Sequence, residues 1–335
     1  MPKNIIRTTR DQLIAHLPEK LRDLEQRLDQ KLVLLKHDIA HDIQLLSKQQ
    51  DNQYIDLLHK IENQGFIRLS DTELIAKIFT GAKMYLDPAD IALVPHLLLD
   101  GDWERNITRA WMKTVKPGDV VFDIGANFGY FGMLAAQQVI RDCDVFLFEA
   151  NPSLIPYIEK TMMVNSFQQC SKVINKAVSN KRAKLTLNIL KDYIGSSSLH
   201  DVDKLNEYNQ NGATFELQAA VEVDAITIDA FCRDNGITAI NLIKMDIEGY
   251  EDKAYQGMRG MIKQSPDVSL FVEFTAPAYE DAEQLYNQLL ADFGYVYTID
   301  DQGKIVRPKK TDYHNIIGSG AWEMPIFSKN EHLDK

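Results

Sequence analysis

The stretch VVFDIGANFGYFGMLAA, residues 120–136, decides the fold of this chain. It runs from an apolar segment typical of a buried strand into a glycine-containing turn and then into a helix, which together form a ligand crevice at the carboxyl edge of a parallel sheet. A dinucleotide-binding loop would read G-x-G-x-x-G, whereas here Gly125 and Gly129 flank Asn127 and the motif's other two glycine positions hold different residues. The loop predicts a nucleotide-like ligand but disfavours a nicotinamide cofactor.

Carboxylates stand at the ends of the first two expected strands. Asp123 ends the first, and Glu149 ends the second, DVFLFEANP, where an acidic residue contacts ribose hydroxyls in nucleotide-binding sheets. Two carboxylates beside the loop disfavour a pyrophosphate and favour a cationic ligand. S-adenosyl-L-methionine carries a sulfonium and an ammonium and no phosphate, so it fits this pattern.

Short apolar runs alternate with helical stretches from Pro117 onward, which indicates a parallel sheet covered by helices on both faces. The expected strands are DVVFDIG, DVFLFEA, KVINKAV, INLIKMD, VSLFVEF and YVYTID, with an extra hairpin of KLTLNIL and ELQAAVEV. The sequence therefore predicts a doubly wound α/β domain, which we place at residues 113–330.

Several motifs of this domain resemble those of the FkbM family of S-adenosylmethionine-dependent methyltransferases. They are, in chain order, DIGANFGYF, FEANP, SSSL at residues 196–199, VDAITIDAF and LIKMDIEGYE, and they cover roughly residues 117–275. The resemblance implies a class I methyltransferase (Rossmann-like) fold, S-adenosyl-L-methionine as cofactor, and O-methylation, commonly of a sugar or polyketide hydroxyl.

The resemblance also implies roles for individual residues. The family often has an acid after the third strand, where this chain has Asn180 in the phrase AVSN, so it departs from the family pattern there. Cofactor-binding roles are implied for residues of the first loop, of the ribose segment and of this phrase: Asp123, Gly125, Asn127, Phe128, Gly129, Glu149, Asn151 and Ser179.

Catalysis is expected from the segment NLIKMDIEGYE. Lys244, Asp246 and Glu248 alternate with apolar residues, so all three face one side if the strand continues. Asp246 is the candidate for positioning, and either Glu248 or a Lys244 made neutral by burial is the candidate base. His96 and His314 are weaker alternatives as bases. No metal site is expected, although Asp246 and Glu273 at the ends of neighbouring strands leave a divalent ion as a second reading.

Residues 1–65 predict a long amphipathic helix. Apolar residues recur in steps of four and three from Leu17 to Ile61, a period of about 3.67 residues that keeps one stripe along a nearly straight helix. Because such a stripe needs a partner, we expect the helix to join copies of the chain into a homo-oligomer through residues 17–61, as a coiled coil. Folding back on its own domain is the alternative. Residues 66–112, with DTELIAKIF and ADIALVPHLLL, are expected to form a helical connecting region.

Composition narrows the function classes. The 335 residues are 45% hydrophobic and 25% charged, as in globular proteins, and no apolar run is long enough to span a membrane. No secretory signal is recognisable, so a cytoplasmic location is expected. The three cysteines form no CxxC pair, and the net charge of −11 disfavours nucleic acid as a partner.

These observations predict an S-adenosylmethionine-dependent O-methyltransferase. The expected acceptor is a hydroxyl of a sugar or glycan, such as a surface polysaccharide or its precursor. Two alternatives remain: an O-methyltransferase of a polyketide-type small molecule, and a non-catalytic coiled-coil scaffold that retains a relic methyltransferase domain.

Overall fold

The computed structural model describes residues 65–139, 144–208, 214–317 and 324–334. The chain divides after Asn63, and residues 64–335 form one compact unit without a boundary at residue 112. The predicted helix at residues 1–65, with its apolar stripe at 17–61, lies outside the described residues apart from Gly65. No helix among the described segments is long and apolar enough to cross a membrane.

The segment after Gly65 begins with a small antiparallel sheet in the order β1-β2-β3. Its strands are followed by two helices: β1 (Phe66–Arg68), β2 (Leu74–Lys77), β3 (Lys83–Leu86), α1 (Val94–Leu99) and α2 (Arg105–Thr114).

The prediction of a helical connecting region was therefore wrong for DTELIAKIF. Leu74 and Ala76 are buried while their neighbours are partly exposed, which is the period of a strand. Gly81 turns the chain with φ +86, so that β3 pairs with β2. A short apolar run suits a helix or a strand equally well, and pairing with a neighbouring strand decided between them here.

The central α/β part follows in chain order. Its elements are β4 (Val120–Ile124), α3 (Tyr130–Val139), β5 (Asp144–Phe148), α4 (Ile155–Val164), β6 (Ser171–Ile174), β7 (Ala177–Val178), β8 (Ala183–Leu190), α5 (Val202–Tyr208), β9 (Leu217–Ile226), α6 (Ile228–Asn235), β10 (Leu242–Met245), α7 (Glu251–Gln256), α8 (Arg259–Gln264), β11 (Ser269–Val272), α9 (Ala282–Phe293), β12 (Tyr295–Ile299), β13 (Ile305–Val306), α10 (Tyr313–Ile316) and β14 (Ile326–Ser328).

In the described part of the chain, eight strands form the main sheet in the order β13-β12-β14-β11-β10-β4-β5-β6. Strands β11, β10, β4, β5 and β6 run parallel, and β14 is antiparallel to both of its neighbours, β11 and β12. The predicted hairpin is present as antiparallel β8 and β9, which form a second sheet with β7. This topology confirms the predicted class I methyltransferase fold.

Side-chain alternation along the strands places a hydrophobic core on each face of the main sheet. Val121 and Val145 belong to one core with helices α2 to α4, whereas Phe122 and Phe146 belong to the other with α6 to α9. Since both faces are covered, the strands are apolar throughout and only their ends are free to carry polar groups. The carboxyl ends of β4, β5 and β10 meet at one edge, where the site lies.

Candidate active site

The turn after β4 packs against the end of β10. Gly125 has φ +79, and a Cβ on it would lie 1.8 Å from the main-chain oxygen of Asp246. Only glycine allows so close an approach. The amides of Gly125 and Ala126 both donate to the Phe148 oxygen, at 2.9 and 3.0 Å. The loop predicted to bind the donor and the segment predicted to be catalytic are therefore in direct contact.

Glu149 lies at the end of β5 and faces this loop. One carboxylate oxygen accepts a hydrogen bond from the Asn127 amide at 2.8 Å, and the other accepts one from the Asn151 amide at 2.7 Å. Burial raises the pKa of Glu149 to about 7, although these hydrogen bonds oppose the shift. Each oxygen keeps a lone pair that could accept a further hydrogen bond.

A cleft lies between Glu149 and the end of β10. Its walls combine apolar side chains, which suit an adenine ring, with carboxylates, which suit ribose and a cationic centre. The lining residues are Ile124, Gly125, Phe148, Glu149, Ala150, Lys176, Ala177, Val178, Leu187, Gly195, Ser197, Leu199, Asp246, Ile247 and Glu248.

Unpaired buried acceptors beside the loop also fit S-adenosylmethionine. Asn127 Oδ1 and Asp123 Oδ1 are buried and have no hydrogen-bond partner in the described part of the chain. An unpaired buried acceptor is costly, and a cationic ligand would satisfy it. The residues present therefore suit the predicted donor.

Two of the predicted cofactor residues serve packing instead. Phe128 is fully buried in the core, with its ring edge-on to Tyr157 at 5.5 Å between centroids. Gly129 has φ +84 and lies 3.0 Å, measured from a built Cβ, from a methyl group of Ile158. Neither residue lines the cleft. The turn directs these two residues toward α4, and their role in donor binding stays a prediction.

Asn151 and Ser179 also lie behind the cleft wall. The side-chain nitrogen Nδ2 of Asn151 donates to the Ile194 main-chain oxygen at 3.2 Å and to Ser197 Oγ at 3.1 Å. The side-chain oxygen Oδ1 of Asn151 accepts from the backbone N–H and the hydroxyl of Ser153. Its side chain thus holds the loop that carries the serine run against the ribose segment. Ser179 is buried and does not line the cleft. The residues of this segment that line it are Lys176, Ala177 and Val178.

Lys244 is the centre of an ionic cluster behind the loop. It lies beside Asp123 in the register of β10 and β4, and its Nζ donates to Asp246 Oδ2 at 2.7 Å. Its ammonium also lies 4.6 Å from the centroid of the Phe131 ring. Burial lowers the pKa of Lys244, but the surrounding carboxylates outweigh burial and the pKa is raised. The interpretation of Lys244 as a neutral base is wrong, because the charged form is favoured.

Asp123 is the most deeply buried carboxyl of this cluster. It is 1% exposed, and its Oδ2 accepts a hydrogen bond from the Gly132 amide at 2.7 Å. Burial raises its pKa to about 6 against the opposing charge of Lys244. Its position between strand and helix holds Lys244 and the start of α3 together.

Glu248 does not continue the alternation of Lys244 and Asp246. Strand β10 ends at Met245, and Glu248 has φ +55, so the chain turns before it. Burial and the charge of Asp246 raise the pKa of Glu248 to about 8, while a hydrogen bond from Ser196 lowers it. The expectation of three charges on one strand face was therefore wrong, and Glu248 belongs to the cleft wall with the serine loop.

Glu104, which the sequence analysis did not single out, belongs to the ionic cluster. It precedes α2. Burial and the charge of Asp246 raise its pKa to about 7, whereas the charge of Lys244 opposes this shift. Its Oε2 is buried and unpaired in the described part of the chain. Nothing in the GDWERN segment signals this role, because only the fold brings residue 104 to the end of β10.

The remaining candidates lie elsewhere. His96 is exposed and contacts Asp100 and Trp103, and His314 is exposed on α10. The described segments contain no group of three or more His, Cys, Asp or Glu side chains arranged to hold a metal ion.

Comparisons with known proteins agree with this arrangement. A family profile described as "Methyltransferase FkbM domain" matches residues 123–297. The 31-O-demethyl-FK506 methyltransferase FkbM of Streptomyces tacrolimicus is 26% identical over 179 residues, which cover 46% of this chain and 68% of that protein.

Two solved structures share low sequence identity with the chain. The methyltransferase FkbM of Methylobacillus flagellatus is 16% identical with a TM-score of 0.37, and the match covers 63% of this chain and 43% of that one. TYW2 of M. jannaschii, in complex with AdoMet, is 14% identical with a TM-score of 0.38, and the match covers 78% and 87% of the two chains.

The family profile spans more than half of the chain, from the end of β4 through most of β12, and includes the turn after β4, Glu149 and the Lys244–Asp246 pair. The chain belongs to the FkbM methyltransferase family, and S-adenosylmethionine is its methyl donor.

Proposed function

We propose that this protein transfers a methyl group from S-adenosylmethionine to a hydroxyl of a sugar or glycan. The observation that carries the proposal is the position of Asp246, which lines the donor cleft and is bonded to Lys244 at 2.7 Å. Asp246 therefore connects the donor cleft with a group of carboxylates that can accept hydrogen bonds from an alcohol.

The charges of the cluster suit a neutral hydroxyl. Three carboxylates, of Asp123, Asp246 and Glu104, surround the single ammonium of Lys244. An anionic acceptor would meet net negative charge, whereas an alcohol would meet hydrogen-bond acceptors and a site for its proton. A sugar offers several such hydroxyls.

Trp103 supports a sugar as the acceptor. It directly precedes Glu104, is partly exposed, and has its ring edge against His96 at 5.0 Å between centroids. An indole ring offers an apolar face on which a sugar ring can stack.

The reaction requires alignment and the removal of one proton. S-adenosylmethionine supplies an activated methyl group on its sulfonium sulfur. Asp246 orients the acceptor toward the cleft, and the hydrogen bond from the Lys244 ammonium holds the Asp246 side chain in place. Holding the reactants in line can supply much of the rate enhancement.

A polyketide-type acceptor is the second candidate. The curated relative is named a 31-O-demethyl-FK506 methyltransferase, and this name favours methyl transfer to oxygen in both cases. The two candidates differ in the acceptor and share the same catalytic cluster.

Incubation with methyl-labelled donor tests the proposal. We expect label in sugar glycosides or in a polysaccharide extract, as alkali-stable ethers, and loss of labelling in the Asp246→Ala variant. Asp267→Asn removes an exposed carboxyl and serves as the matched control. Labelling of a macrolide alcohol alone would favour the second candidate, and labelling of neither would refute O-methylation of both classes.

We further propose that residues 17–61 join copies of the chain and that the enzyme acts in the cytoplasm on a surface-polysaccharide precursor rather than on nucleic acid. The apolar stripe supports the first part, and the net charge of −11 supports the last. Removal of residues 1–62 should reduce the molar mass measured by light scattering to that of a monomer. An unchanged oligomeric state would exclude this role for the stripe.

A further inference from the structure

The serine loop, residues 192–199, forms one wall of the donor cleft. Three of its residues line the cleft: Gly195, Ser197 and Leu199. The loop is bonded to the ends of two strands of the main sheet. Asn151, after β5, donates to the Ser197 hydroxyl at 3.1 Å, and the Ser198 hydroxyl donates to the main-chain oxygen of Glu248, after β10, at 3.0 Å. The position of this loop therefore helps to set the shape of the cleft.

A third attachment comes from a segment that is distant in the sequence. Asp90 lies between β3 and α1 and is 1% exposed, and its Oδ2 accepts a hydrogen bond from the Gly195 amide at 3.2 Å. The next amide, of Ile91, donates to the main-chain oxygen of Asp192 at 2.9 Å. Two hydrogen bonds therefore join residues 90–91 to the serine loop.

The two carboxylate oxygens of Asp90 have separate partners. Its Oδ1 accepts from backbone amides at the start of α1, those of Ala92, Leu93 and Val94, at 3.2, 2.9 and 3.4 Å. Its Oδ2 is the oxygen bonded to the serine loop. Holding the start of the helix uses only one oxygen, so the second oxygen makes Asp90 more than a helix cap.

Gly195 lies directly against the turn that follows β4. A Cβ built on Gly195 would overlap the side-chain amide of Asn127, so a larger residue has no space there. The backbone amide of Asn127 in turn donates to Glu149, which lines the cleft, at 2.8 Å. A hydrogen bond to the Gly195 amide therefore holds the serine loop on the turn that borders the donor cleft.

We propose that Asp90 is a positioning residue for the methyl donor, and that it holds the serine loop in its cleft-lining position through Gly195. A loop that is already ordered lowers the entropy cost of binding, so this bond increases the affinity for the donor. The proposal concerns S-adenosylmethionine and does not depend on which acceptor the enzyme methylates.

Residue 90 lies before the family match, which begins at residue 123, whereas Gly195 lies within it. The segment that contains the small sheet and α1 thus contributes to donor binding without lining the cleft. This gives residues 66–112 a function beyond connecting two parts of the chain.

The Asp90→Asn variant tests the proposal in the full-length protein. Asparagine keeps one oxygen for the amides of α1 and is itself a favoured helix cap, but its NH2 group cannot accept a hydrogen bond from Gly195. Calorimetry should show that the affinity for S-adenosylmethionine and for S-adenosylhomocysteine falls by about tenfold.

Asp87→Asn is the matched control. Asp87 belongs to the same segment, but its Oδ1 accepts from the Ala89 amide at 2.9 Å and its Oδ2 from the Tyr157 hydroxyl at 3.2 Å, away from the serine loop. Its donor affinity should stay within about twofold of wild type.

Hydrogen exchange separates a positioning residue from one that supports the whole fold. Without donor, the amides of residues 192–199 should exchange about tenfold faster in Asp90→Asn than in wild type. The amides of β4 and β10 should exchange at the wild-type rate, because the bond to Gly195 contributes only to the order of the loop.

Gly195→Ala provides a second variant that leaves Asp90 and the start of α1 intact. The added methyl group should push the loop away from Asn127, so donor affinity should fall and the loop should again exchange faster. Because both substitutions displace the same loop, the Asp90→Asn/Gly195→Ala double variant should lose less affinity than the product of the two single losses.

Three outcomes would overturn the proposal. The first is an Asp90→Asn variant with wild-type donor affinity and wild-type exchange of the loop. The second is a loss of affinity accompanied by faster exchange in β4 and β10, which would make Asp90 a residue that supports the whole fold. The third is a double variant whose losses multiply fully. If Asp90→Asn does not fold, unchanged donor affinity in Gly195→Ala would overturn the proposal in its place.

Discussion

Gly125 and Asp246 meet through their backbones: a Cβ on Gly125 would lie 1.8 Å from the Asp246 oxygen. The turn that follows β4 therefore packs directly on the residue that follows β10. A ligand held by one segment is necessarily close to the other.

Replacement of Gly125 by Ala should destabilise the fold and abolish donor binding. The positive φ should cost about 1 to 2 kcal/mol and the enforced shift of Asp246 about 1 to 3 kcal/mol. Gly118→Ala is the matched control, because Gly118 has φ +87 but no atom within 4 Å of a built Cβ. Urea unfolding should show the smaller loss for Gly118→Ala, and equal losses would contradict the close contact.

Lys244→Met should leave buried carboxylates without their counter-charge. The apolar stem still packs on Phe131, but breaking a buried ion pair costs about 3 to 5 kcal/mol. Burial already raises the pKa of Asp123 and of Glu104 above their ordinary values of 3.8 and 4.5. Without the ammonium, both pKa values should rise further. Because a folded pKa above the unfolded one contributes stability that is lost as pH rises, the deficit of the variant should grow from pH 5 to pH 8.

The control for this change is Lys184→Met. Lys184 donates to Glu222 at 2.6 Å, but both side chains are more than half exposed. An exposed pair contributes about 1 kcal/mol or less. A deficit of Lys244→Met that shrinks with rising pH would argue against unpaired carboxylates as its cause.

Glu149→Gln should weaken binding of both S-adenosylmethionine and 5′-methylthioadenosine, since both carry the ribose. Each Glu149 oxygen accepts one backbone N–H, but the NH2 group of glutamine cannot accept, so one hydrogen bond is lost. We expect affinity to fall about 10- to 100-fold. In the wild type, affinity should also decrease below about pH 7 as Glu149 is protonated. Calorimetry across pH checks both effects, and a variant with unchanged affinity would remove Glu149 from the ribose site.

Glu104→Gly should make the folded protein more stable. Glycine tolerates φ +44 and removes a buried unpaired oxygen, so we expect the free energy of unfolding to rise by about 1 kcal/mol. Thermal unfolding of the variant and of the wild type checks this prediction. A variant that loses stability would show that the Glu104 side chain supports the fold.

The unliganded wild type should lose stability as pH rises. Burial raises the pKa of Asp123 to about 6, of Glu149 to about 7 and of Glu248 to about 8. The folded state therefore binds more protons than the unfolded state, and the free energy of unfolding should decrease from about pH 4.5 to pH 8. Urea titrations at pH 5, 6.5 and 8 check this trend, which a rising or flat profile would contradict.

The sequence motifs did not predict in which direction each of their side chains points. The residues of the loop at 123–129 follow one another in the chain, yet Gly125 faces the cleft while Phe128 is buried against Tyr157. Likewise the alternation of Lys244 and Asp246 does not extend to Glu248, because the left-handed φ of Glu248 ends it. A motif identifies a turn, but backbone dihedrals decide which of its side chains reach the ligand.

Apolar periodicity in the sequence by itself determined the doubly wound sheet, because strands buried on both faces must be apolar throughout. The sequence also determined the turn after β4, since a tight turn against a neighbouring strand requires glycine at Gly125. Only the tertiary structure decided that LIAK at residues 74–77 is a strand, through pairing with its neighbours. It alone brought Glu104 to Lys244, because residues far apart in the chain meet only when β4 and β10 pair side by side and α2 packs against α3.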